Sequence, residues 1–118
     1  MGDYFERKLD DKRRLTLPPE LRLEFASGAV ITRGFKNYLH LYPKAVWDEI
    51  VEPALSGDIL SEETADLNVQ FRMGKTSSDI DAKQGRISIE KHLLDWSGIT
   101  RDVVAVRAGR YFRLMPKV

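Results

Sequence analysis

Apolar and polar residues alternate along YFERKL (4–9) and again along RLTL (14–17), with the charged insert DDKR between them. Period-two alternation predicts two strands, and the insert predicts a turn. In PPELRLEF (18–25) the period changes. Leu21 and Phe25 stand four apart behind two prolines, which predicts a short helix opened by Pro18 or Pro19 and ended by Gly28. AVIT and YLHLY predict two more strands around a turn at Gly34 to Asn37. PKAVWDEIVEPAL predicts a helix opened by Pro43 and kinked or stopped before Pro53. SEETADLNVQFRM predicts another, with Ser61 as N-cap and acids in its first turn, and Gly57 marks the loop between them. The rest of the chain reads as strand, turn, strand, short helix and hairpin.

That order is the order of the first part, and the residues repeat with it. VITRGFKNYLHLYP aligns with VVAVRAGRYFRLMP at an offset of 73, and RLTLPPEL aligns with RISIEKHL at an offset of 72. Arg14 falls on Arg86, Leu15 on Ile87, Leu17 on Ile89 and Leu21 on Leu93. Two copies are too few for a solenoid. They suit a pseudo-twofold body in which each half supplies half of one core. No stretch reads as a flexible linker, so one fused body is expected.

Charge divides the chain. Residues 45–71 hold seven acids and no lysine or arginine, while the remainder carries 19 basic side chains against 11 acidic ones, although the whole is only +1. A basic face of that kind suits an anionic polymer. There is no cysteine, so neither a disulfide framework nor a thiolate metal site is open to the sequence, in keeping with a reducing cytoplasm. No run approaches the length of a membrane span. The opening Met-Gly lacks the Ser or Thr at position 6 that myristoylation requires, because Glu6 stands there.

The insert between the first two strands has a chemistry of its own. Asp10 or Asp11 can accept backbone N–H groups two residues on and fix a tight turn. Lys12, Arg13 and Arg14 then project from it, and Arg14 begins a strand that gives its guanidinium a rigid base. A guanidinium fork matches phosphate oxygens or the O6/N7 edge of guanine. The second copy carries Asp81, Lys83, Gly85 and Arg86 in the same region. A pseudo-twofold would put both turns on one face, which is the outline of a reader of double-stranded DNA.

DDKRRLTLPPELR resembles the D-x-K-G-R-x-x-x-P-x-x-x-R signature of the MraZ family, transcription regulators of the wider AbrB/MazE swapped-hairpin superfamily. Asp10, Lys12, Arg14, Pro18 and Arg22 match at the right spacing. LYP before a Trp-containing helix (41–47) and KQGRI (83–87) are similar to the family as well. The resemblance implies an α+β fold of two tandem β-β-α-β-β swapped-hairpin halves, interlocked into one β-barrel-like body with helices. The first copy would span 1–54, a linking helical segment 55–75, and a degenerate second copy without a terminal helix 76–118. It also implies a cytoplasmic, nucleoid-associated homo-oligomer, commonly a ring. Such a protein binds GGG-containing promoter direct repeats through turn arginines, commonly as repressor of the division and cell-wall gene cluster. The DNA contacts would be Lys12, Arg13, Arg14, Lys83 and Arg86, supported by Asp10, Pro18, Arg22, Asp81 and Gly85. Neither a cofactor nor a small-molecule substrate is implied.

The sequence departs from the signature in places. Arg13 stands where the motif has glycine, and if that position needs a positive φ the cost is on the order of 1–2 kcal/mol. Asp81 lies five residues before Arg86, so Ala82 takes the acid's place unless the turn bulges, and Glu90 and Leu94 replace the second proline and arginine. The family continues past the position of Pro116 with a terminal helix.

Other signals are weaker. MGKTSS (73–78) contains a Gly-Lys-Thr, but a phosphate loop needs a glycine where Val69 stands. DID (79–81) could offer alternate carboxylates to a hard cation, though simple strand alternation accounts for it. His40 and His92 have no nucleophile or acid in a catalytic arrangement, so His40 reads as a sheet residue and no enzyme is expected. Trp47 and Trp96 read as core or subunit-interface packing, and a Trp47 helix unexplained by one chain's core favours an oligomer. The rival to a DNA-binding regulator is an antitoxin-type AbrB/MazE-like module that pairs with a toxin. Against it, the acidic block is helical and internal rather than a disordered tail.

Overall fold

The computed structural model describes residues 2–81 and 83–118. Among the described residues eight strands form two antiparallel sheets. The larger has the order β1 (Tyr4–Lys8), β7 (Asp102–Arg107), β8 (Phe112–Pro116), β4 (Leu39–Pro43), β3 (Ala29–Arg33), β5 (Thr76–Ser78). The smaller is a ribbon of β2 (Arg14–Thr16) and β6 (Arg86–Ser88). The order of the large sheet maps onto itself when β1 exchanges with β5, β3 with β7 and β4 with β8. Each copy's opening strand pairs with the other copy's hairpin: Tyr4–Lys8 runs against Asp102–Val106, and Thr76–Ser78 against Ala29–Ile31.

The fold is α+β, but the large sheet is open, with β1 and β5 as edges, and does not close into the expected barrel-like body. The reason is where β2 and β6 go. They pair with each other, Leu15 opposite Ile87, instead of bridging the two edges. The ribbon packs as a lid on one face of the sheet. Its inward residues Leu15, Leu17, Ile87 and Ile89 join Ile31, Leu39, Leu41, Phe112 and Leu114 in the main core. Strand alternation sends their neighbours to the opposite face, where Val30 and Tyr42 meet Trp47, Leu55 and Phe71 in a second cluster.

The helices lie on that second face. Helix α1 (Lys44–Val46), a π-helical stretch (Trp47–Val51) and α2 (Glu52–Leu55) form one continuous run. Of the two expectations at Pro53, a kink or a stop, the stop does not occur. Pro53 has no N–H to give and its ring crowds the preceding turn, and the widened turn ahead of it, with Glu52 N–H reaching Trp47 O, absorbs both. Trp47 is 2% exposed and packs on Tyr42, so it belongs to this chain's own core and gives no argument for an oligomer. Helix α3 (Glu62–Arg72) is capped by Ser61, whose hydroxyl accepts from Thr64 N. On the other face, α4 (Lys91–Ser97) is the second copy's short helix. Its first-copy counterpart is reduced to a 3₁₀ turn (Pro19–Leu21) and further turns. Leu21 and Phe25 are buried all the same, the latter through Phe25 N–H to Leu21 O. No helix among the described residues is long and apolar enough to cross a membrane.

Two local features have measurable consequences. Arg13 has φ 59° and Gly85, its counterpart, φ 67°, so the turn needs the left-handed region in both copies and only one has glycine there. Arg13→Gly relieves that strain but loosens the unfolded chain, so a net gain of about 0.5–1 kcal/mol is expected. An unchanged or lower midpoint in urea would contradict it. His40, 1% exposed, lies beneath Phe35 and Phe71, with Nδ1 2.9 Å from Tyr42 Oη and Tyr111 stacked beside it. Burial, reinforced by the nearby Arg113 charge, lowers its pKa from 6.5 to about 4. Between those values the unfolded chain binds a proton that the folded chain refuses. Stability should therefore fall as pH drops from 6.5 towards 4, by up to about 1.4 kcal/mol per unit. Comparison of urea unfolding at several pH values with a His40→Leu variant isolates this slope, which the variant should lack.

Candidate nucleic-acid interface

The two turns are built to one plan. In the first, Asp10 Oδ1 accepts Lys12 N–H at 2.9 Å and Arg14 N–H at 2.8 Å, while Oδ2 accepts Arg14 Nε at 2.6 Å. In the second, Asp81 Oδ1 accepts Lys83 N–H at 2.9 Å and Gln84 N–H at 3.3 Å. Its Oδ2 accepts Arg86 Nε at 3.1 Å and Nη2 at 2.6 Å. The closing backbone bonds also correspond: Asp10 N–H to Arg14 O and Arg13 N–H to Asp10 O in one, Asp81 N–H to Arg86 O and Gly85 N–H to Asp81 O in the other. The second turn is one residue longer, and the slack is taken up inside it so that Asp81 keeps the acid's role. The expectation that Ala82 replaces the acid falls on a residue outside those described, but the bonds of Asp81 leave that role filled.

Both carboxylates are held as anions. At Asp81 the side-chain bond from Arg86, helped by the two turn N–H groups, lowers the pKa from 3.8 to about 2. At Asp10 partial desolvation acts to raise it, but the bonds from Arg14 backbone, Arg14 side chain and Lys12 backbone outweigh that and lower it. Each arginine is thus oriented by a permanent counter-charge beneath it. Arg14 spends only Nε on Asp10, so among the described residues both its Nη groups are unspent. Arg86 spends Nε and Nη2, which leaves it less to offer.

Leu15 and Ile87 point into the core, so their neighbours Arg14 and Arg86 share the outward face of the ribbon. Arg86 lies opposite Thr16, and Arg14 opposite Ser88, which places the two arginines diagonally, about 7–8 Å apart at Cα. Leu17 N–H to Gly85 O (2.8 Å) and Ile89 N–H to Arg13 O (2.9 Å) extend the pairing symmetrically at both ends. The turns themselves stand at opposite ends of the ribbon, with Lys12, Arg13, Lys83 and Gln84 exposed.

One of the supporting residues is placed differently from what the motif suggests. Pro18 is buried and precedes the 3₁₀ turn. Arg22 is expected beside Arg14, but it lies against the second turn, where a Cβ on Gly85 would meet its Nε at 2.3 Å. Antiparallel pairing explains this, because the residue that follows β2 arrives beside the turn that precedes β6. Linear spacing gives no sign of it; only the register of the ribbon does. Among the described residues no cluster of three or more histidine or acidic side chains could hold a metal ion.

Comparison with known proteins agrees with this construction. The family described as "MraZ protein, putative antitoxin-like" matches residues 2–68. A transcriptional regulator MraZ of Roseiflexus castenholzii is 35% identical over 114 residues, 97% of this chain and 78% of the relative. Proteins of the same name from Kocuria rhizophila and Frankia alni are 35% and 36% identical over 92% and 88% of this chain, and over 75% and 71% of their own lengths. With two Asp-clamped arginine turns on one ribbon, a family match across more than half its length and relatives aligned over 88% to 97% of it, the chain belongs to the MraZ family.

Proposed function

We propose that this chain is a sequence-specific DNA-binding transcription regulator that reads duplex DNA with the outward face of the β2–β6 ribbon. The observation that carries the reading is the duplicated clamp: Asp10–Arg14 and Asp81–Arg86 present two pre-oriented guanidinium groups on one two-stranded ribbon. A two-stranded ribbon fits the major groove, and a bidentate guanidinium fits guanine. The relatives' name, transcriptional regulator, supports the same role. Charge supports it too, because the acidic segment 45–71 covers the sheet face opposite the ribbon.

The finer reading follows the family resemblance. The pairing of each opening strand with the other copy's hairpin supports a swapped-hairpin interlock, with copies proposed at 1–54 and 76–118 and a joining segment at 55–75. The protein acts in the cytoplasm on the nucleoid, binds GGG-containing direct repeats and represses the division and cell-wall cluster that includes its own gene. It works as a homo-oligomer. Ile59 and Leu60 in the loop before α3, Val69 on α3 and Met73 just past its end are exposed, an apolar set that a second chain would cover. The family's antitoxin-like description favours one further role for the same surface, as the seat of a protein partner.

Arg14→Ala should cost about 1–3 kcal/mol on operator DNA and relax sequence preference. Arg86→Ala should cost less, and Lys12→Ala should weaken operator and random duplex alike. Retention of wild-type discrimination by a folded Arg14→Ala protein would make the first turn a solvated hairpin tip. Affinity should also fall steeply with salt, by about 0.9 in log–log slope per phosphate neutralised; a flat response between about 50 and 200 mM would remove phosphate contact from the account. Sedimentation at micromolar concentration should show a multimer, and a strict monomer that binds operator tightly would contradict the assembly.

A further inference from the structure

The place of Arg22 changes the composition of the second turn. Besides the 2.3 Å approach to Nε, a Cβ on Gly85 would lie 2.7 Å from Arg22 Cδ and 3.0 Å from Cγ, so the side chain lies flat across the Gly85 backbone. It is fixed there through Leu17, whose carbonyl accepts Arg22 Nε at 3.3 Å and whose N–H donates to Gly85 O. One residue thereby anchors both the guanidinium and the turn. Arg22 is partly exposed, and that single bond among the described residues leaves both its Nη groups unspent.

The pseudo-symmetry makes the arrangement reciprocal. A shift of 72 carries Arg13 to Gly85 and Arg22 to Leu94. At the first turn the glycine position bears its own exposed cation, Arg13, and the counterpart of Arg22 is Leu94, buried in the main core. At the second turn the glycine position bears no side chain, and the cation comes from the other copy. Each turn therefore gathers three bases: Lys12, Arg13 and Arg14 at one, Lys83, Arg86 and Arg22 at the other.

We infer that Arg22 contacts the DNA backbone as part of the second turn, not the first, and that Gly85 is bare so that Arg22 can be seated. The inference rests on the DNA-reading role proposed above. Arg22 stands off the ribbon on a tight turn with Nε already engaged, so its remaining donors suit a phosphate and carry no sequence information.

Duplex binding by the full chain tests this, with Arg22→Ala and Arg22→Gln measured alone and combined with Arg14→Ala or Arg86→Ala. Arg22→Gln keeps most of the stem and an amide donor, so it serves if Arg22→Ala fails to fold. Either substitution should weaken operator and random duplex alike, about eightfold at roughly 0.1 M salt, and make the log–log salt slope shallower by about 0.9. Arg22→Lys should keep the wild-type slope, which a purely structural role would not require. Loss should be less than multiplicative with Arg86→Ala, which serves the same turn, and multiplicative with Arg14→Ala. An unchanged slope in the folded variants, or coupling to Arg14 instead of Arg86, overturns the inference while the effects of Arg14→Ala and Arg86→Ala leave the DNA reading standing. Absence of salt-dependent binding by the unsubstituted chain overturns both.

Discussion

The antiparallel pairing of β2 with β6 is the constraint on which the rest depends. Three facing residue pairs and the two flanking bonds, Leu17 N–H to Gly85 O and Ile89 N–H to Arg13 O, tie one copy to the other. Register and alternation then leave no freedom. Leu15, Leu17, Ile87 and Ile89 must enter the core together, and Arg14 and Arg86 must share the outer face. A slip of either strand by one residue would bury that strand's guanidinium group and expose its two branched apolar side chains. The core and the proposed interface are opposite sides of one ribbon, so the sequence that folds the chain also aims its arginines.

The two copies have diverged around that shared seam. The first is followed by the helical segment, which buries Trp47 and Phe71 on the far face of the sheet and carries the acidic block there. That block is thus kept on the opposite face of the sheet from the turns, where it would oppose an anionic ligand. The turns differ in the opposite sense. The first has the shorter loop, an arginine in a strained backbone position and a guanidinium with both Nη groups unspent. The second has a longer loop, a relaxed glycine and a guanidinium bound twice to its acid.

Much of this is legible in the sequence because it rests on local periodicity. Alternation in YFERKL and RLTL marks β1 and β2, the offsets of 72 and 73 expose the duplication, and an acid that can accept backbone N–H groups marks the first charged turn, although the ion pair from that acid to the arginine does not show in the spacing. The tandem copies also imply the shared body. What is not legible depends on partners distant in the chain. Nothing near PPELRLEF reveals that it forms a 3₁₀ turn, because a helix and a tight turn both bury Leu21 and Phe25. Pro53 reads as a kink or a stop, and the π-helical turn that accommodates it leaves no mark in the spacing. The family signature makes Arg22 a support for Arg14, and only the antiparallel register sends it to Gly85. Closure into a barrel is likewise a question of whether β2 and β6 choose each other or the sheet edges, and spacing does not decide that.

The central claim is that the two clamped turns, and not the helical face, meet the nucleic acid. Backbone hydrogen exchange with and without an operator duplex tests it directly. The account predicts slowed exchange at residues 10–14 and 83–86, with α3 unchanged. Protection of α3 with unaltered exchange in both turns would contradict it.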